Sequence, residues 1–251
     1  MPIITHLYRY PIKGLSPEPL PRVSLQAGEA IQLDRHFALA HGTTEFNPEA
    51  PQHLPKTHFL MLMKNERLAA LRTCYDENTG ILQIFLADQL QTQGHLQEIQ
   101  GRQAIENFIA EYLGDEVRGA PKLVQAPGHT FSDVNAKVLS CINLATVREL
   151  ERELGTTVHP LRFRANIYFD EALPWAELDW VGKEFGLGTA RVRVFKPTER
   201  CAATNVNPQI AQRDLSIPQT LLKTYGHRQL GIYVQVVADG EVAVNDGWVV
   251  P

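Results

Sequence analysis

The chain has 251 residues, 44% hydrophobic and 21% charged, the balance of a water-soluble globular protein with room for one large domain or two small ones. No apolar run approaches the roughly 20 residues needed to cross a bilayer, and Met1-Pro-Ile-Ile-Thr-His6 lacks a basic and then apolar leader; the expected place is the cytoplasm, with no membrane contact. A formal net charge of -4 without a basic block argues against nucleic acid as a partner, so any bound anion must be held by a local pocket.

From residue 3 to about 86, short apolar runs are broken by Pro and Gly, as in Pro17-Glu-Pro-Leu-Pro21 and the Asp76-Glu-Asn-Thr-Gly80 turn, which predicts a small β unit. Residues 47–55, with His53 among prolines, read as an irregular loop over that sheet, a kind of loop that often borders sites. A helix is predicted over 102–113, with Ala104, Phe108, Ile109 and Tyr112 facing the core and Gly114 at its end. A second spans 144–154, capped by Asn143 and ended by Gly155, with Leu144, Val147, Leu150 and Leu154 inward. Strands follow over 162–169 and 189–195; in the latter Val192 and Val194 alternate with Arg191 and Arg193, so one face is buried and the other cationic. Gly182, Gly186 and Gly188 mark turns between strands. A third helix is predicted over 218–225, between Ser216 and Gly226, and 230–237 with 241–244 reads as a closing hairpin. The expected fold is mostly β and barrel-like, with a few helices packed outside.

Cys74, Cys141 and Cys201 lie far apart and form no C-x-x-C pair, which argues against a disulfide framework, a zinc site or an iron–sulfur cluster. Cys74 and Cys141 sit in apolar surroundings and are expected in the core. Cys201 follows Lys196, Glu199 and Arg200 at the end of the alternating strand and precedes the turn-prone Thr204-Asn-Val-Asn-Pro208. Cationic neighbours favour the thiolate, the form that ligates a metal or attacks an electrophile, while a small buried filler fits the same composition. Lys13, Arg35 and Arg164, the last beside Asn166, occupy strand-end or loop settings; if they converge, with the main-chain N–H groups after Asn143, they make an anion pocket. There is no G-x-x-x-x-G-K-[ST], G-x-G-x-x-G, H-E-x-x-H or G-x-S-x-G motif, and the histidines show no metal-ligand spacing.

Tyr10-Pro-Ile-Lys-Gly14, Asp34-Arg35, Phe163-Arg-Ala-Asn-Ile167, Arg200-Cys-Ala-Ala-Thr-Asn-Val-Asn-Pro208 and Leu230-Gly-Ile-Tyr233 together resemble the MOSC proteins, named for the C-terminal domain of molybdenum-cofactor sulfurase and including the amidoxime-reducing components. The resemblance implies an N-terminal MOSC β-barrel domain over 1–95 and a MOSC domain over 96–251. It implies the molybdenum cofactor (molybdopterin), with Cys201 as catalytic residue and thiolate ligand to the metal. Lys13, Arg35, Ser140, Arg164 and Asn166 are then the implied cofactor contacts. Pyridoxal phosphate binding accompanies the family, but the residues do not lead us to expect it. The implied activity is a molybdenum-dependent oxidoreductase reducing N-hydroxylated compounds, with a small-molecule substrate and a separate electron-donor protein, a ferredoxin or a cytochrome b5 with its reductase.

Two other readings compete. A non-enzymatic module would carry the molybdenum cofactor or persulfide sulfur on Cys201. A cysteine-nucleophile hydrolase would need His227 or His129 beside the sulfur as base.

Overall fold

The structure, a computed structural model, describes residues 1–249. Its centre is an eight-stranded sheet in the order Trp248–Val249, Glu184–Leu187, Ala190–Glu199, Gln229–Ala238, Leu139–Asn143, Ile167–Asp170, Ile3–Arg9 and Glu18–Leu20. Leu139–Asn143 and Ile167–Asp170 run parallel because helix α2 (Leu144–Leu154) crosses between them; the other neighbours are antiparallel. The sheet curls until its ends meet, with Ile4 N donating to Asp246 O at 2.9 Å and Trp248 N to Pro2 O at 2.8 Å. The fold is therefore mostly β and barrel-like, as expected.

Two cores organise it. Inside the curled sheet, Val192, Val194, Val234 and Cys141 pack with Ile4 and Leu7, and buried Trp248 closes the layer against Phe169 at 5.0 Å. The second core joins Phe37, Leu60, Leu82 and Ile84 to Ile105, Ile109 and Leu113 of helix α1 (Ile99–Leu113). Each core draws residues from both sides of position 95, the boundary expected between two units. Helix α3 (Ile217–Tyr225) packs with α2 on a third, smaller cluster around Ile142 and Tyr168. Among the described residues no helix is long and apolar enough to cross a membrane.

Helix α2 has the predicted limits and caps: the Asn143 side chain accepts from Ala145 N at 3.0 Å, and Gly155 adopts φ 65°. Other expectations change. The buried stripe of α1 is Ile105, Ile109 and Leu113, with Phe108 and Tyr112 at its border and Ala104 half-buried. Residues 160–163 form a 3-10 turn, so the strand expected from 162 begins only at Ile167; Pro160 starts the turn and His159 caps it. Gly240–Ala243 pairs with Arg22–Leu25 and makes no hairpin with Gln229–Ala238. Gly186 lies inside a strand, and Cys74 is exposed on an edge strand, where alternation turns it outward.

Candidate functional site

The Ala190–Glu199 strand carries the chain to Arg200, whose N–H donates to Arg228 O at 2.8 Å. Cys201 is still extended, and Ala202–Asn205 then turn sharply, with Thr204 N and Oγ1 donating to the Cys201 carbonyl at 3.0 and 2.9 Å. Buried Arg162 grips this turn from behind: Nη1 donates to Asn205 O at 3.0 Å and Nη2 to Asp214 at 2.7 Å. Arg213 ties it sideways to the N-terminal half, donating to Ala202 O and Leu62 O at 3.1 Å and pairing with Glu66 at 2.8 Å. The half-exposed Cys201 is thus fixed on a braced turn, facing a cleft of about 490 Å³.

Lys13, Arg35, Ser140, Arg164, Asn166 and Cys201, distant in sequence, all line that cleft. Its seven cations (Lys13, Arg35, Lys56, Arg162, Arg164, Lys196 and Arg200) face three carboxylates, Asp34, Asp133 and Glu199. In a chain of net charge -4 the cleft is a local reversal of sign.

The cations differ in how they are held. Lys13 donates to Phe131 O at 2.9 Å and pairs with Asp133; burial still pushes its pKa down, against the pull of Asp133. Arg35 grips buried Asp34 at 2.6 and 2.7 Å and donates to Arg164 O at 2.7 Å. Arg35 and Arg164 flank the buried Tyr10 ring, each guanidinium carbon 4.4 Å from its centroid. Both adopt positive φ, 50° and 51°, an uncommon conformation for arginine that aims them at one ring. Arg164 has no acceptor for its guanidinium among the described residues, and burial pushes its pKa down to about 10.

Arg200 donates to Leu230 O at 2.7 Å and Phe163 O at 3.2 Å, while its buried Nη2 has no partner. Gly231, at φ 77°, makes room: a Cβ there would strike the Cys141 carbonyl and lie 3.0 Å from Nη2. Ser140 and Asn166 turn their polar atoms into the framework. Ser140 N and Oγ donate to Asn166 Oδ1 at 3.0 and 3.1 Å, and Asn166 Nδ2 donates to Tyr8 O at 3.2 Å, which locks three neighbouring strands at the cleft floor.

The sequence reading had not picked out Asp34, Lys56, Asp133 or Tyr233 as site residues. Lys56 follows directly on the irregular loop at 47–55, and its Nζ lies 3.7 Å from Asp133. Burial works against its charge, but Asp133 and the Cys201 sulfur outweigh it and raise its pKa. Among the described residues no histidine lines the cleft. His227 accepts from Gln229 N at 3.1 Å and His129 packs on Phe131 at 4.8 Å, so the hydrolase reading has no imidazole base there.

The family model of the MOSC domain matches residues 128–248. A molybdenum cofactor sulfurase of Drosophila grimshawi is 26% identical over 254 residues, covering 93% of this chain and 32% of that protein. One of Drosophila willistoni is 30% identical over 183 residues, covering 66% of this chain and 23% of that protein. The chain therefore spans under a third of the length of these relatives. Among solved structures, the YUAD protein from Bacillus subtilis aligns over 98% of this chain and 93% of its own, at 12% identity and a TM-score of 0.42. YiiM from Geobacillus stearothermophilus aligns over 44% and 52%, at 19% identity and a TM-score of 0.35. The family match takes in Ser140, Arg164, Cys201 and Tyr233 of one cleft, and residues 128–248 of this chain belong to the MOSC domain family.

Proposed function

We propose that the chain is a molybdenum-cofactor-binding oxidoreductase that reduces N-hydroxylated compounds with electrons from a separate reductase. The observation that carries this reading is the cleft itself: a braced, half-exposed cysteine among seven cations and three carboxylates.

The residues fit the group. The half-buried guanidinium of Arg164, without an acceptor of its own, suits a phosphate. The Cys201 thiolate is a soft ligand. Among the described residues no group of three or more His, Cys, Asp or Glu could hold a metal, so a metal at Cys201 must bring its other ligands with it, as one borne by a cofactor does. Cys201 would ligate the metal and Arg164 the phosphate, with Arg35 and Lys13 beside it over the floor built by Ser140 and Asn166.

When bound, the cofactor would supply the two-electron redox centre for the reaction. In the net reaction the N–O bond of R–NH–OH breaks; two electrons from the separate donor and two protons convert it to R–NH2 and water. The chain's part is placement. Met61, Leu62, Met63 and Phe131 are apolar residues of the lining and would receive the organic part of the substrate. Arg162 and Arg213 keep the Cys201 turn from moving.

Protein purified from a host that makes the cofactor should contain molybdenum near one per chain. Cys201→Ser should lose it with its thermal unfolding unchanged, and the loaded wild type should reduce benzamidoxime with an artificial donor. Normally folded wild type without metal from such a host would overturn the reading.

The names of the curated relatives, molybdenum cofactor sulfurases, favour a second reading in which Cys201 carries the cofactor or persulfide sulfur. An added sulfur on Cys201 by mass spectrometry, in loaded protein that leaves benzamidoxime untouched, would select it.

A further inference from the structure

The strand that delivers Cys201 also carries an uncovered face that runs on from the edge of the cleft. Lys196 lines the cleft opposite Tyr233, and Arg193, opposite Gln235, and then Arg191 follow along the same strand, all three cations exposed. At about 3.3 Å per residue, Arg191 lies about 17 Å from Lys196. Alternation puts Phe195, 40% exposed, on the same side as Arg191 and Arg193, a register shift between Val194 and Lys196 brings Lys196 out beside it, and Val181, 41% exposed, adjoins where Gly182 N donates to Val194 O. Arg193 pairs with Glu184, but among the described residues no carboxylate lies within 4.0 Å of Arg191 or Lys196. Helices α1, α2 and α3 pack on the second and third cores and leave this face open.

A solvated strand face calls for polar residues. It does not call for an exposed aromatic and an exposed valine ringed by cations beside a cleft. Arginine and aromatic residues at the centre of a patch are instead the composition of a protein interface, and positive charge on a chain of net -4 selects a negatively charged partner. We propose that this face docks a small acidic electron-carrier protein and brings its redox centre to the edge of the cleft. The inference rests on the reductase reading, which requires such a donor.

The test is a binding measurement that needs no turnover. Wild-type chain is titrated with oxidised plant-type ferredoxin and, in parallel, with flavodoxin, at low salt and at about 0.5 M salt, where screening is strong. Binding to at least one carrier should weaken with salt, and the double variant Arg191→Glu/Arg193→Glu should bind at least tenfold more weakly. In loaded enzyme the same variant should keep its turnover with reduced methyl viologen. No binding of either carrier, equal affinity in wild type and variant, or salt-sensitive binding to RNA or phosphatidylserine vesicles alone would overturn the proposal. A chain that binds the carrier yet reduces nothing would retain the docking face and sink the reductase reading.

Discussion

Two sets of cations in the cleft hold positive charge in opposite ways. In the first set, Lys13 and Arg35, each cation is matched by a carboxylate, Asp133 or Asp34, and the pairs fix geometry more than they project charge. In the second, among the described residues, Arg200 is bound only to carbonyls and Arg164 has no acceptor, so their charge is left uncancelled. Hydrogen bonds to carbonyls satisfy donors without neutralising a charge. The first set is therefore structural, and the second is the one suited to an anion.

Three experiments can break or sharpen that contrast. The largest effect is expected at the paired cations. Asp34→Ala removes the partner of Arg35 and the acceptor of Tyr10 N, and leaving a buried charge uncompensated should cost about 3–5 kcal/mol in denaturant unfolding. Asp34→Asn, which keeps an oxygen for Tyr10 N, should cost less. At the unpaired cations the sign should reverse. Arg164→Gly relieves a positive φ and discards a charge with no partner, so stability should hold or rise, while retention of molybdenum through a desalting column should fall at least tenfold. A loss of stability matching that of Asp34→Ala would abolish the distinction.

The smallest effect concerns acid. Burial alone would raise the pKa of Asp133, but Lys13 and Lys56 outweigh it and hold it below the ordinary value. A depressed carboxyl stabilises the fold above its unfolded pKa of about 3.9, and that stability is lost as pH falls through the lower folded value. The melting temperature should therefore drop below about pH 4, and Asp133→Asn should flatten that drop. An acid limb identical in the variant would show that the Lys13–Asp133 pair contributes nothing there.

Part of this site was legible in the sequence because its signals are local. Helix α2 needed only Asn143, a 3.6-residue repeat and Gly155, all within a dozen positions. The cations beside Cys201 and the run Thr204-Asn-Val-Asn-Pro208 marked a strand end and a turn. The face of α1 was misread by one residue because Phe108 and Tyr112 compete with Ile105 and Leu113 for the same turns, and only the strands packed against it choose between them. The closing hairpin failed for a similar reason: Asp239-Gly240 allows a turn, but Arg22–Leu25 offers Gly240–Ala243 a ladder that the preceding strand does not.

By itself, then, the amino-acid order determined the limits of α2 and the ends of α1 and α3, though not the start of α1 at Ile99, and it determined which strand alternates and that a cysteine follows that strand among cations. Tertiary structure alone decided that residues as distant as Lys13, Lys56, Arg164 and Cys201 share one cleft, and which of its cations are neutralised. The physical reason is range: caps and periodicity act over a few residues, whereas pairing of charges and strands depends on distances in space that sequence separation does not encode.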